Sequence, residues 1–168
     1  YVVDTGRRLL VDRTGQDHVD LGRVTLGRPD PPLPASAMRP ARRLDRSFGP
    51  LRLLGYDCHE LGRPRQGGEP LAAGDVLHVS LYWEALEAPA GDWEYRLWLG
   101  ERLLLDWAPV GGGYPTGRWA AGELVRDQLD RFLPGDLEAG AHRLRLDVRP
   151  PGAPEAQGSA PLGRVQIR

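Results

Sequence analysis

Hydrophobic residues recur at every second position in short runs along this chain, the pattern of strands buried on one face. The clearest run is 76–83, where Leu77, Val79, Leu81 and Trp83 fall on one side and His78, Ser80 and Tyr82 on the other. Residues 93–99 repeat it, with Trp93, Tyr95, Leu97 and Leu99 against Glu94, Arg96 and Trp98. Residues 143–149 set Leu144, Leu146 and Val148 against Arg143, Arg145, Asp147 and Arg149. Further strands are predicted over 51–58, 102–107, 124–129 and 164–168, with Gly100-Glu101 as the turn of a hairpin. Residues 62–68 read as a turn, 150–161 as a loop, and the only helical candidates are single turns near 120–125 or 134–138. About seven short strands with no sustained 3.6-residue period predict an all-β fold, an immunoglobulin-like antiparallel β-sandwich. Trp83 and Trp93 take inward positions, one of them as the central tryptophan of the sandwich.

The first 28 residues add a short N-terminal β segment, with strand-like pieces at 9–11 and 18–26. The tetrapeptide Leu21-Gly22-Arg23-Val24 recurs as Leu162-Gly163-Arg164-Val165, so residues 1–28 read as the tail of a preceding sister domain or as a strand pair of similar build. Residues 29–46 hold Pro29, Pro31, Pro32, Pro34 and Pro40 among Ala and Arg, the composition of a semi-extended linker. The β-sandwich domain is then expected over 47–168.

Composition sharpens this picture at a few points. The formal net charge of -1 lacks the positive field that nucleic-acid binding draws on, so DNA and RNA are excluded as expected partners. Every basic residue is Arg, as a GC-rich coding sequence would produce. Glycine and proline, at 22 and 16, break the chain too often for helices of ordinary length. Cys58 is alone, which rules out an intrachain disulfide and reads as a small buried hydrophobe. No stretch approaches the roughly 18 apolar residues of a membrane-spanning helix, and no signal peptide is visible. The chain starts at Tyr1 rather than Met, which reads as an excised or processed segment.

Several pieces in order resemble one family. They are 48–57 (FGPLRLLGYD), 71–77 (LAAGDVL), 79–86 (VSLYWEAL), 113–119 (GYPTGRW), 122–127 (GELVRD) and the closing Leu162-Gly163-Arg164-Val165. Together they are similar to the extracytoplasmic β-sandwich domains attached to bacterial multi-pass membrane glycosyltransferases and related surface proteins. The resemblance implies an extracytoplasmic location, association with a membrane through a parent protein, and neighbouring domains as partners. Any transferase activity would lie outside this chain, which has no segment matching that catalytic portion.

Motifs of catalysis are sparse. The run Gly111-Gly112-Gly113-Tyr114-Pro115-Thr116 lacks the Gly-Lys-Ser/Thr ending of a phosphate loop and reads as a structural loop. His18, His59, His78 and His142 lack metal-ligand spacing, and His78 and His142 take outward, solvated or cross-strand positions, so no metal and no cofactor is expected. Ser36, Ser47, Ser80 and Ser159 lack a nucleophile elbow. Glu84, Asp106, Glu123 and Asp127 lie near aromatics in sequence and are the best candidates for a glycosidase pair, although Glu123 and Asp127 read rather as ion-pair partners of Arg118 or Arg126.

The aromatics carry the stronger signal. Trp98, Trp107, Tyr114 and Trp119, with Arg118 and Glu123, form a candidate carbohydrate-binding set, because a ring stacks on the apolar face of a sugar while polar groups take its hydroxyls. The same rings would alternatively cap the second face of the sandwich or anchor the loop, with Arg118 stacked on one of them. The expected function is a noncatalytic accessory or interaction module of an extracytoplasmic glycan-related protein that contacts carbohydrate. The alternative is a small carbohydrate-active hydrolase using a carboxylate pair.

Overall fold

A computed structural model describes residues 22, 27–61 and 70–168. Most of the N-terminal β segment and all of the 62–68 turn lie outside the described residues. The rest forms eight strands: β1 (Arg42–Phe48), β2 (Leu51–Glu60), β3 (Val76–Ala85), β4 (Glu94–Leu99), β5 (Arg102–Trp107), β6 (Leu124–Phe132), β7 (Gly140–Arg149) and β8 (Gly158–Ile167). They make two four-stranded sheets, in the orders β1-β2-β3-β6 and β5-β4-β7-β8. Neighbouring strands pair antiparallel, and the chain changes sheets at β3–β4, β5–β6 and β6–β7, the crossing pattern of an immunoglobulin-like sandwich.

The alternation read from sequence is the one that builds the core. Leu77, Val79, Leu81 and Trp83 from β3 meet Tyr95, Leu97 and Leu99 from β4 and Leu144, Leu146 and Val148 from β7, all nearly free of solvent. Each such side chain contributes roughly 1.5–3 kcal/mol by leaving water. Trp83 is the central tryptophan, with Phe48 edge-on at 6.3 Å and Tyr95 stacked at 6.4 Å between ring centroids.

Beside shifts of a few residues at other strand ends, three differences from expectation stand out. Strand β1 begins at Arg42, inside the segment read as linker: it is an edge strand whose side chains are mostly exposed, so burial gives it no alternating signature. Strand β8 begins at Gly158, inside the expected 150–161 loop. The candidate helical turns at 120–125 and 134–138 are not helical, and short 3-10 turns occur instead at Ala35–Ala37, Pro109–Gly112 and Thr116–Arg118.

The repeated tetrapeptide explains β8. Against β7 the pairing runs Arg143↔Arg164 and then Arg145↔Pro161, so β8 spends one extra residue there, a β-bulge. Gly163 adopts φ +91 at this point, a left-handed conformation that side chains disfavour. The bulge shifts the phase of the strand, so that Ala160 and Leu162 before it and Val165 and Ile167 after it all face inward. Gly22, in the first copy of the tetrapeptide, has φ +94. A Cβ on Gly163 would come within 2.9 Å of the buried Tyr56 hydroxyl. Gly163→Ala is therefore expected to lower stability by about 1–2 kcal/mol, while Gly135→Ala, which meets open space, stays within about 0.5 kcal/mol. Chemical denaturation of the two variants checks this.

The outer face of the first sheet is covered as well. His78 takes the cross-strand role, buried rather than solvated: its Nδ1 lies 2.6 Å from its partner Asp130, Nε2 lies 3.1 Å from the Ser80 hydroxyl, and the ring of its other cross-strand partner, His59, packs 4.8 Å away. Neighbouring strands bring these long side chains across β3, which a one-strand pattern does not reveal. Cys58 is half-buried, and burial pushes its thiol up to about 11, which keeps it protonated and unreactive near neutral pH.

Candidate ligand-binding site

The loop between β5 and β6 is fastened to the loop before β4. Thr116, fully buried, accepts a hydrogen bond from the Trp93 N–H at 2.7 Å and donates to the Gly91 carbonyl at 3.1 Å. The Gly117 N–H donates to Asp92 at 2.9 Å, a position where a Cβ would collide with that carboxylate. Below them Trp119 donates from its indole Nε1 to the Tyr114 carbonyl at 3.1 Å, its ring 2% exposed. The loop is thus a firm platform rather than a free tip.

On this platform Tyr114 and Glu123 come together. The Tyr114 hydroxyl donates to Glu123 Oε1 at 2.7 Å, and the Ala120 N–H donates to Oε2 at 2.7 Å. Arg28 reaches in from the proline-rich segment. It donates to Glu123 at 3.0 Å, to the Tyr114 hydroxyl at 3.0 Å, and to the Arg118 carbonyl. The Tyr114 hydroxyl first, and then the Glu123 carboxylate, hold the exposed Arg28 guanidinium above its ordinary value. Beside the cluster is a cavity of about 730 Å³, its walls formed by Pro29, Pro32 and Leu33 on one side and Tyr114, Ala121 and Glu123 on the other. That volume is within the range of small-molecule sites, roughly 300–1,000 Å³.

The six candidate residues of the sequence reading are therefore divided. Tyr114 and Glu123 line the cavity, and Arg118 joins them through its carbonyl while its side chain is exposed. Trp119 supports the loop from within the core, so its ring is withdrawn from any stacking surface. Trp98 stands elsewhere, half-buried on the outer face of the second sheet with Arg145 stacked on it at 5.3 Å. Trp107 is 39% exposed at the open side of the sandwich, where Arg131 of β6 lies 5.2 Å over its ring and Gly111 packs beside it.

The four candidate carboxylates are likewise apart. Glu84 pairs with Arg52 on the outer face of the first sheet, and Asp106 pairs with Arg96 and Arg149 on the outer face of the second. Asp127 points into the core and accepts from the Tyr95 hydroxyl. Neither Glu123 nor Asp127 pairs with Arg118 or Arg126: Glu123 takes Arg28, and Arg126 donates to Ser80 and lies over Tyr82. Of these acids only Glu123 opens onto the cavity. The described residues contain no group of three or more His, Cys, Asp or Glu arranged to hold a metal, and no helix among them is long and apolar enough to cross a membrane.

Sequence reasoning missed Arg28, which lies 95 residues from Glu123 along the chain. It also missed the inward position of Asp127, although Val125 and Leu129 on either side carry the alternation that points it there.

No protein-family model matches the chain, and no curated protein matches it. In fold the chain is similar to the crystal structure of the C-terminal domain of wzt, with 15% sequence identity and a TM-score of 0.50 over 77% of this chain and 82% of that one. The likeness is one of architecture, a β-sandwich in both the sequence reading and the structure.

Proposed function

We propose that the chain is a noncatalytic accessory module of an extracytoplasmic, glycan-related protein. In this reading it is held at the membrane beside neighbouring domains of its parent and contacts carbohydrate in the cavity at Arg28, Tyr114 and Glu123. The observation that carries the reading is the composition of that cavity. Proline and leucine side chains supply apolar wall, while a phenol, a carboxylate and a guanidinium converge on one edge. Sugars present apolar ring faces and clustered hydroxyls, and need both kinds of surface. The domain that the fold resembles is itself the C-terminal part of a larger protein, in keeping with an accessory position.

A hydrolase would place a second carboxyl across the same cleft, about 5–10 Å from the first. Glu84, Asp106 and Asp127 occupy other faces of the molecule or its interior, so the cavity is read as a place to bind.

A glycan array followed by titration monitored through tryptophan fluorescence tests the proposal, with Trp119 packed 6.4 Å from the Tyr114 ring as the reporter. We expect a neutral oligosaccharide to bind, and Glu123→Gln and Tyr114→Phe each to weaken it by about tenfold, the cost of one good hydrogen bond. No response to any glycan on the array would remove carbohydrate from the proposal.

A further inference from the structure

The outer face of the second sheet carries a local conflict that its core does not require. Most outward arginines of this sheet are neutralised: Arg96 by Asp106, Arg149 by Glu94 and Asp106, and Arg145 by Asp147. Arg143 and Arg164 are different. The β8 bulge sets them directly opposite one another as cross-strand partners, and among the described residues neither guanidinium has a carboxylate or hydrogen-bond partner. Like charges directly opposite on a sheet destabilise it. The bulge also interrupts the ladder, and bulges commonly re-aim a side chain beside a functional site. The bulge is offset by the core residues it turns inward, whereas the facing arginines are a local cost that nothing in the described fold offsets, a mark of function rather than of packing.

The surroundings fit a ligand. A groove of about 610 Å³ runs here, lined by Arg143, Arg145, Arg164, Ser159 and Pro161, with Glu101 its only acid. Arg145 is fixed in orientation by the Trp98 ring at 5.3 Å and by Asp147 at 3.1 Å. Arginine forks match the geometry of carboxylate and phosphate, donating two parallel hydrogen bonds to the oxyanion. The groove is far larger than a bare anion, so the acid it suits is carried on a larger polar body.

We propose that this groove is an oxyanion site, in which Arg143 and Arg164 embrace the carboxylate, phosphate or sulfate of an acidic saccharide. Arg145 and the Ser159 hydroxyl border the sugar to which the acid is attached. The site shares no lining residue with the Tyr114 and Glu123 cavity, so it stands whether or not that cavity takes neutral carbohydrate.

Calorimetric titration of the whole chain with a uronic-acid disaccharide, its neutral counterpart and inorganic phosphate tests the assignment. We expect the uronate to bind at least about tenfold tighter than the neutral sugar, and the double variant Arg143→Gln/Arg164→Gln to lose at least about tenfold of that affinity. Gly135→Ala, at a position that lines neither this groove nor the Tyr114 and Glu123 cavity, should leave uronate binding unchanged. The double variant should also melt no lower than the parent, because it relieves the repulsion between the two arginines. Phosphate binding that the double variant abolishes, without uronate binding, would keep the oxyanion site and identify a free anion as its ligand. Equal binding of acidic and neutral sugars, full retention of uronate affinity in the double variant, a lowered melting point, or no binding of either anion would each overturn it.

Discussion

Trp83→Ala is expected to cost about 3–5 kcal/mol, a large part of the roughly 5–15 kcal/mol that holds an ordinary domain folded. Trp83 is 1% exposed near the C-terminal end of β3, between Leu53 of β2 and Val125 of β6, and it touches the second sheet through Tyr95. Truncation leaves a cavity where both sheets meet, and a sandwich cannot collapse locally without moving whole strands. Trp83→Phe should cost much less, under about 2 kcal/mol. It keeps the aromatic contact with Phe48 and also removes the buried indole N–H, which has no hydrogen-bond partner among the described residues. Guanidinium denaturation of the two variants provides the check: a shifted midpoint at constant slope, ordered Ala below Phe. Equal losses would mean that the ring does not fill the junction.

Where the sequence revealed the fold, it did so through strands in which one phase of alternation persists. Strand β5 has the same bounds in sequence and structure, and β3, β4 and β7 differ only at their ends. Alternation failed where the physics of burial does not act on it. Strand β1 is an edge with little buried, so Arg42 to Ser47 carry no inward signal beyond Leu44. Strand β8 alternates in two phases joined at Gly163, and a single period laid over it finds only the second half.

The site was less legible, for a related reason. A ring beside a glycine-rich loop reads the same whether it covers the loop or lies beneath it. Trp119 is buried because Thr116 ties the loop down onto Gly91 and Trp93, a contact between segments 25 and 23 residues apart. Tyr114 and Glu123 become a cluster only when Arg28 arrives from outside the sandwich. Arg143 and Arg164 stand in the sequence as ordinary outward arginines, and only the register exposes their repulsion.

Among the described residues a buried polar bridge joins the two sheets, and its loss should be the other large effect. Tyr95 of β4 and Asp127 of β6 are each 1% exposed, with the phenol donating to the carboxylate across the core. Burial raises the Asp127 carboxyl above its ordinary value of 3.8, and the Tyr95 hydrogen bond, followed by the backbone N–H groups of Val110 and Gln128, pulls it part of the way back. Burial, then Asp127, pushes the Tyr95 phenol up, so it remains a donor. Tyr95→Phe removes the donor and leaves a buried charge with less support, which should cost about 3 kcal/mol near neutral pH. Replacing both members, as Tyr95→Phe/Asp127→Leu, removes the charge as well and should recover most of that loss. The sign of the pH dependence follows from the raised carboxyl. Its contribution to stability is fully present below 3.8 and is lost as pH rises through the folded-state value. Without Tyr95 that folded-state value rises further, so the loss extends to higher pH. The cost of Tyr95→Phe should therefore be small in acid, where Asp127 is protonated in both proteins, and grow as the pH is raised. Urea denaturation of parent, single and double variants across the acidic to neutral range measures it, and a cost that does not change with pH would mean that the bridge holds no charge.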